Sequence, residues 1–303
     1  SEDPMAFFKE MEDLKKKDQK AYDRWMGLVS GGKTGQSVKG VPTNSTEIFW
    51  IWSISDGNEN FFPDALVPLE TAVEIPNAAN AIPGQTAQAF YIDVYVPHKT
   101  KAGNYSATLT VLNSQSEIKI PVNLKVWDFE LPDELTFIPE MNGYGYMKMD
   151  PDNTHEGILN MYRLAHKNRL NPNIVPYSHN GNFTVPAYEK LSVDGSGANT
   201  TIGNLSEFDK FYGPLLNGSA FKNCFRKNVP LSSFYLPFYE QWPCDIKKGY
   251  TLDQQADSVD IRNDFTSDYK NGWTNAVHGF GKYLKEKGYN KTTFQVYLNN
   301  KYI

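Results

Sequence analysis

The chain has 303 residues, 40% of them hydrophobic and 21% charged, which is enough to form the cores of two domains. Its formal net charge is −5 and its longest basic run is Lys15-Lys16-Lys17, which argues against nucleic acid or an anionic membrane as the main partner. No stretch of about 18 apolar residues occurs, so no segment is predicted to span a bilayer. The 14% aromatic content suits a carbohydrate binder, since aromatic faces stack on sugar rings, and it equally suits a β-rich core.

The first segment, 1–40, is predicted to be a helix followed by a linker. Residues 4–28 carry dense mixed charge, and their apolar positions form a loose helical stripe. The glycine-rich run at 31–35 lacks the G-x-x-x-x-G-K-[ST] frame and a preceding strand. A solvated linker is therefore favoured over a phosphate-binding loop.

Residues 41–134 are predicted to form an antiparallel β-sandwich. Segments with strand-like apolar or alternating patterns are separated by turn residues, as is typical of such a fold. These segments are 48–52, 90–96, 105–111 and 117–127. The segment Leu131-Pro132-Asp133-Glu134 is predicted to end the domain as a linker.

From residue 135 onward the pattern changes to alternating strands and helices. Strands are predicted at 135–139, 173–177, 232–238 and 293–298, and helices at 155–170, 206–216 and 265–284. Four such units are the first half of a (β/α)8 barrel, so 135–303 is predicted to be an N-terminal half-barrel. Because half a barrel cannot bury its inner face, we expect further polypeptide or another chain to complete the sheet.

The two cysteines, Cys224 and Cys244, are predicted to form a disulfide, with free thiols as the alternative. Such a bond would stabilise the fold by roughly 3 kcal/mol in the chain-entropy model. The histidines lack the spacing of metal ligands, and no cofactor is predicted.

Seven Asn-x-Ser/Thr sequons are candidate glycosylation sites, more than chance would give. They are Asn44, Asn104, Asn182, Asn199, Asn204, Asn217 and Asn290. The excess is compatible with a secreted, extracellular or cell-surface chain, although an Asn- and Thr-rich composition also yields sequons by accident.

Several segments together resemble the family-123 glycoside hydrolases and their uncharacterised bacterial relatives. The similarity runs from about residue 60 to the C-terminus and depends on long contiguous motifs. The motifs are PHKTKAGNY at 97–105, VWDFELP at 126–132, YGPLLNGSAF at 212–221, FYLPFYEQWP at 234–243 and FQVYLNNK at 294–301.

The resemblance implies a β-sandwich followed by a (β/α)8 barrel that hydrolyses N-acetylhexosaminides by a substrate-assisted route. In that route the 2-acetamido oxygen attacks the anomeric carbon, an Asp orients the acetamide, and the adjacent Glu protonates the leaving oxygen. The relatives carry this pair in an Asp-Glu-Pro motif, which this sequence lacks. The string Pro132-Asp133-Glu134 lies in the predicted linker.

We therefore predict no catalytic residue in this chain and expect the acid pair on polypeptide downstream of it. The chain is interpreted as the N-terminal portion of a glycoside hydrolase-like protein that acts on or binds N-acetylhexosamine-containing glycans. The alternative is a non-catalytic extracellular glycoprotein that uses the scaffold for glycan binding or self-assembly.

Substrate-binding candidates are placed at the C-terminal ends of the predicted strands, because functional residues of (β/α)8 barrels gather there. Carboxylates, amides and aromatic rings recognise sugars by hydrogen bonding and stacking. The candidates are Glu140, Asn142 and Tyr144 after the first strand, Tyr239, Glu240 and Trp242 after the third, and Asn299 and Asn300 after the fourth. The alternative to a binding role is an ordinary ion pair for Glu140 and a position capping the barrel for Trp242.

Overall fold

The structure is a computed structural model that describes residues 45–112, 116–142, 155–173, 193–194, 199–236, 238, 244 and 265–296. Over these ranges it contains antiparallel β-sheets and three α-helices, which confirms the predicted mixture of β and α structure. None of the described helices is long and apolar enough to cross a membrane. The helix predicted over residues 4–28 lies outside the described residues.

The chain divides into two compact units, residues 1–132 and residues 133–303. The division falls within the segment 131–134 that the sequence marks as a linker.

The first unit contains a three-stranded antiparallel sheet in the order β2-β1-β3, formed by β1 (Thr46–Ser55), β2 (Phe61–Pro68) and β3 (Phe90–Val94). Aromatic and β-branched residues are frequent in these strands and favour a pleated backbone. The register between β1 and β2 shifts near Ser53. There the buried side chain of Asn80 accepts a hydrogen bond from the Ser53 N–H at 2.9 Å and donates one to the Ser53 carbonyl at 2.6 Å.

A hairpin follows in the same unit, formed by β4 (Gly103–Leu112) and β5 (Glu117–Val126). The two strands are antiparallel and remain in register along their whole length. The exposed carboxylate of Glu130 accepts a hydrogen bond from the Lys99 N–H at 2.5 Å and contacts the ring of His98 at 3.0 Å. These hydrogen bonds lower the pKa of Glu130 and tie the segment before the hairpin to the segment after it.

The described part of the second unit has three α-helices: α1 (His155–Lys167), α2 (Ser206–Leu216) and α3 (Ser267–Glu286). Thr266 caps α3 by accepting a hydrogen bond from the Tyr269 N–H at 3.3 Å. The helices bury a largely aromatic core. Its fully buried aromatic members are Tyr162, Phe208, Tyr212, Phe221, Phe238 and Phe280.

The short strands described in the second unit form two parallel pairs and one antiparallel pair. The strands are β6 (Glu140–Asn142), β7 (Asn171–Asn173), β8 (Val193–Asp194), β9 (Thr201–Ile202), β10 (Ser233–Tyr235) and β11 (Thr293–Gln295). β6 pairs with β7 in parallel, β10 pairs with β11 in parallel, and β8 pairs with β9 antiparallel. Among the residues described, these strands do not close into a barrel.

The position of the first strand in this unit corrects the sequence analysis. The strand predicted at 135–139 is wrong, because the described strand, Glu140–Asn142, begins only after the predicted strand ends. The carbonyl of Pro139 accepts a hydrogen bond from the Asn171 N–H at 3.0 Å and opens the pairing. The apolar run suggested a buried strand, whereas the strand that forms carries polar side chains.

Candidate functional site

Polar side chains from four strands of the second unit lie close together, and we call this set the polar face. Its members come from β6, β7, β10 and β11 and form two hydrogen-bonded groups, one of Glu140 with Gln295 and one of Asn171 and Asn173 with Ser233.

The two-residue period of a strand explains why these side chains share one side. Phe234 of β10 and Phe294 of β11 are register partners and pack into the aromatic core with ring centroids 6.4 Å apart. Successive side chains of a strand point to opposite faces. Ser233 and Gln295, each next to one of these phenylalanines, therefore lie on the face away from the core.

Asn171 joins the two parallel pairs through its side chain. Its amide oxygen accepts hydrogen bonds from the backbone N–H groups of Ser232 and Ser233, both at 3.1 Å. Its amide nitrogen donates to the Ser233 carbonyl at 3.0 Å and to the Ser233 hydroxyl at 2.8 Å. Asn171 is only 1% exposed. Its amide group supplies β10 with the hydrogen bonds that the backbone of a neighbouring strand would otherwise supply.

Glu140 and Gln295 connect the first and last strands of the set. The Gln295 side-chain nitrogen donates a hydrogen bond to the Glu140 carboxylate at 2.5 Å, so β6 and β11 contribute to one patch. Glu140 is exposed and Gln295 is half-buried, whereas Asn171, Asn173 and Ser233 are buried. A ligand on the polar face would therefore meet Glu140 and Gln295 first.

The chemistry of the polar face is that of hydrogen bonding. A carboxylate, amide groups and a hydroxyl supply acceptors and donors for uncharged hydroxyl and amide groups. Among the described residues, no group of three or more His, Cys, Asp or Glu side chains is placed to hold a metal ion. The polar face, as described, can bind and orient a polar ligand.

A second buried polar cluster lies at the end of α1. The Nε2 atom of His166 donates to the Val229 carbonyl at 3.0 Å, and its ring stacks on Phe221 with centroids 3.8 Å apart. Arg226 donates to the His166 carbonyl at 3.1 Å. Burial, together with the nearby Arg226 charge, lowers the pKa of His166 to about 4, so the ring is neutral in the folded protein near neutral pH.

Asp209 of α2 organises a third cluster. Its carboxylate accepts hydrogen bonds from the hydroxyl of Tyr283 at 2.9 Å, the hydroxyl of Tyr289 at 2.5 Å and the amine of Lys287 at 2.7 Å. Burial acts to raise the pKa of Asp209, but the hydrogen bonds outweigh it and the net pKa is lowered. The cluster ties α2 to α3 and to the segment that follows α3.

Of the predicted substrate-binding residues, Glu140 lies on the polar face. Asn142 is opposite Asn173 in the β6–β7 register, and its side chain is outside the described residues. The remaining candidates also lie outside the described residues and stay predictions. They are Tyr144, Tyr239, Glu240, Trp242, Asn299 and Asn300.

The Asp-Glu string before β6 has structural contacts. The Asp133 carbonyl accepts a hydrogen bond from Arg226 at 2.6 Å, and the Glu134 carboxylate pairs with Lys291 at 2.5 Å. Neither residue belongs to the polar face.

The predicted disulfide is absent from the structure, since Cys224 and Cys244 are both free thiols. Cys224 packs against the aromatic core, and the sulfur of Cys244 lies against Gly272 of α3. Burial raises the pKa of both thiols. Spacing in the sequence alone could not show that each sulfur packs against its own neighbours.

The sequons of the described residues all present exposed asparagine side chains. These are Asn104, Asn199, Asn204, Asn217 and Asn290, whereas Asn44 and Asn182 lie outside the described residues. By contrast, four described asparagines outside sequons are buried: Asn80, Asn160, Asn171 and Asn173. The described sequons are therefore all accessible to modification.

Sequence reasoning missed most of the polar face, namely Asn171, Asn173, Ser233 and Gln295. A signal was present, because polar residues recur every second position in Glu140–Asn142 and Asn171–Asn173. Parallel strands covered on both faces normally read as continuous apolar runs. A period of two in polar residues within such strands therefore marks a face that is not an ordinary core.

Comparison of the chain with models of known protein families and with curated proteins finds no match in either set. The resemblance to the family-123 glycoside hydrolases therefore rests on the sequence segments given above.

Proposed function

We propose that this chain binds N-acetylhexosamine-containing glycans on the polar face and does not hydrolyse them by itself. The proposal rests on one observation: the side chains of Glu140 on β6 and Gln295 on β11, the first and last of four strands, are hydrogen bonded to each other. A carboxylate and an amide placed together bind adjacent sugar hydroxyls, and an amide also pairs with the acetamido group of an amino sugar.

The proposal includes a finer fold, a β-sandwich followed by the first half of a (β/α)8 barrel. Its support is that α1 lies between the parallel partners β6 and β7, and α3 lies between the parallel partners β10 and β11. Parallel partners connected by a helix are the repeating unit of that barrel. The side-chain contact between β7 and β10 through Asn171 supports the strand order β6-β7-β10-β11.

Binding without turnover follows from the acid groups that the chain offers. Substrate-assisted hydrolysis requires a carboxylate pair, one to orient the acetamide and one to protonate the leaving oxygen. The 303 residues contain no Asp-Glu-Pro motif, and among the described residues Glu140 is the single carboxylate of the polar face. A glycosidase of this type would need its acid pair from other polypeptide.

Titration of the protein with methyl β-N-acetylgalactosaminide and methyl β-N-acetylglucosaminide tests binding. Two-dimensional NMR is a suitable measurement, because it detects weak ligands and shows whether each variant is folded. We expect saturable shifts in the wild type and at least a tenfold weaker affinity in Glu140→Ala and Gln295→Ala. Glu286→Gln is the matched control, since Glu286 is an exposed carboxylate on α3 outside the polar face. Saturable binding that both alanine variants retain in full would disprove the proposed site.

An assay with aryl N-acetylgalactosaminides tests the absence of turnover. We expect the wild type to release no aryl alcohol above the rate of the Glu140→Ala variant. Release that is lost in Glu140→Ala would show that the chain carries its own catalytic carboxylate.

A second candidate function is a non-catalytic extracellular glycoprotein that self-assembles. The exposure of all five described sequon asparagines favours it, as do the exposed apolar side chains of the β4–β5 hairpin, such as Leu112 and Ile118. Expression in a eukaryotic secretory host followed by enzymatic deglycosylation should then give a loss of mass. Light scattering during size-exclusion chromatography should give more than the mass of one chain. Unglycosylated monomers would exclude this candidate.

A further inference from the structure

The polar face carries one formal charge, and that charge is negative. Among all residues of β6, β7, β10 and β11, Glu140 is the only charged side chain. The other groups are neutral amides and hydroxyls, and Asn171 and Ser233 already bond each other. Any ligand that reaches Gln295 must come close to the Glu140 carboxylate, because the two side chains are hydrogen bonded at 2.5 Å.

The described cations nearest to these strands in sequence lie before the strands begin. Lys291 is four residues before Gln295, or about 13 Å at the rise of an extended strand. It is already paired with Glu134 at 2.5 Å. Arg169 precedes β7 and is close enough to His166 and Arg226 to lower the pKa of both. Among the described residues of the polar face, the Glu140 carboxylate is the one formal charge.

We infer that Glu140 makes the polar face select uncharged N-acetylhexosamine units and reject sulfated or carboxylated ones. This inference rests on the proposed glycan-binding function. A sulfate brought near Glu140 meets a like charge at short range, in surroundings less polarisable than water, and the repulsion opposes binding. Specificity of this kind comes from the penalty on the wrong ligand as well as from contacts to the right one.

A matched pair of ligands tests the inference. N-acetylgalactosamine and its 6-sulfate share one ring and differ by a single anionic group. We expect the wild type to bind the 6-sulfate at least tenfold more weakly than the unsulfated sugar at low salt. The preference should decrease as salt is added, because ions screen exposed charges.

Variants that change charge but little shape then assign the effect to one residue. Glu140→Gln should reduce the preference to less than threefold, and the control Glu286→Gln should leave it unchanged. Gln295→Glu adds a second carboxylate beside the first and should increase the preference. This variant decides the question if Glu140→Gln no longer binds either sugar.

The outcomes separate the two proposals. If the wild type binds neither sugar, the proposed function fails. If it binds both sugars equally, or if the preference is unchanged in Glu140→Gln, the glycan site stands and the inference about Glu140 fails. An unchanged preference in Gln295→Glu has the same meaning.

Discussion

The two units use their apolar residues in different ways. In the first unit, many strand side chains stay exposed: Leu112 is 70% exposed and Phe90 is 45% exposed. Among its described residues, Val126 is the only member of the buried hydrophobic set. In the second unit, Phe208 is fully buried and packs against four aromatic rings, those of Tyr212, Phe234, Phe280 and Tyr283.

The difference shows that strand-forming patterns and core formation are separate properties. Alternation in β4 and β5 is enough to give a paired hairpin, but two strands alone cover neither of their faces. In the second unit, amphipathic helices bring aromatic stripes onto the strands and exclude water from them. Both units nevertheless share one device, a buried asparagine that completes the hydrogen bonding of a strand, Asn80 in the first and Asn171 in the second.

The largest expected effect is the loss of an aromatic ring from the core of the second unit. Phe208→Ala should destabilise that unit by about 3–5 kcal/mol, since it leaves a cavity among packed rings. Phe90→Ala in the first unit should cost about 1 kcal/mol or less, because the ring is already partly in water. Hydrogen–deuterium exchange with mass spectrometry follows peptides of each unit separately. Equal losses of protection in the two variants would contradict the contrast between the units.

Acid should weaken the second unit through His166. The unfolded residue takes up a proton near pH 6.5, whereas the folded residue does so only near the lowered pKa of about 4. The unfolded state therefore binds more protons between these values, so stability falls as pH decreases from about 6.5 to about 4 and is level above that window. The loss is about 3 kcal/mol when complete.

Urea denaturation at several pH values measures this effect. His166→Gln keeps a donor for the Val229 carbonyl and removes the titrating group, so its stability should depend less on pH than that of the wild type. His278→Gln, at an exposed position of α3, should follow the wild type. The interpretation is wrong if the wild type and His166→Gln lose stability in parallel below pH 6.5.

The shared asparagine device gives a direct comparison between the units. Asn171→Asp keeps the acceptor for two backbone N–H groups. It loses the donor to Ser233 and brings a carboxylate near the Ser233 carbonyl. We expect a loss of about 3 kcal/mol in the second unit, since buried groups are left unpaired. Asn80→Asp should cost the first unit less, because Asn80 bonds a single residue, Ser53, on that strand. Exchange of peptides around residues 53 and 233 measures both, and a larger effect for Asn80→Asp would reverse the ranking.

Two glycines with left-handed backbone sharpen the contrast in packing. A Cβ at Gly218, φ +84°, would lie 2.3 Å from the Asn228 carbonyl oxygen, whereas one at Gly84, φ +65°, would meet nothing within 4 Å. Both changes to alanine carry the cost of positive φ, roughly 1–2 kcal/mol. Gly218→Ala should cost about 1–3 kcal/mol more, because the backbone must move. Thermal unfolding checks the difference, and equal shifts in Tm would show that the second unit is loosely packed at this turn.

Local pattern was sufficient for much of the fold. The helix predicted at 206–216 is the α2 of the structure, and the strands predicted at 232–238 and 293–298 contain the described strands Ser233–Tyr235 and Thr293–Gln295. These elements follow from the three- to four-residue and two-residue periods of apolar side chains, which are properties of neighbouring residues. The sequence pattern places Glu140 directly after a strand, whereas in the structure it is the first residue of β6.

Tertiary structure alone decided which faces meet. The sequence of Asn171–Asn173 does not indicate that the Asn171 side chain hydrogen bonds to the backbone of β10, some sixty residues later in the chain. The spacing of Cys224 and Cys244 likewise does not indicate that the two sulfurs form no disulfide. The physical reason is that periodicity assigns side chains to the same side of one element, whereas burial, pairing and shifted pKa values depend on elements distant in the chain. The polar face forms because β10 and β11 each turn a phenylalanine toward the core, so that their polar side chains lie on the other side, beside those of β6 and β7.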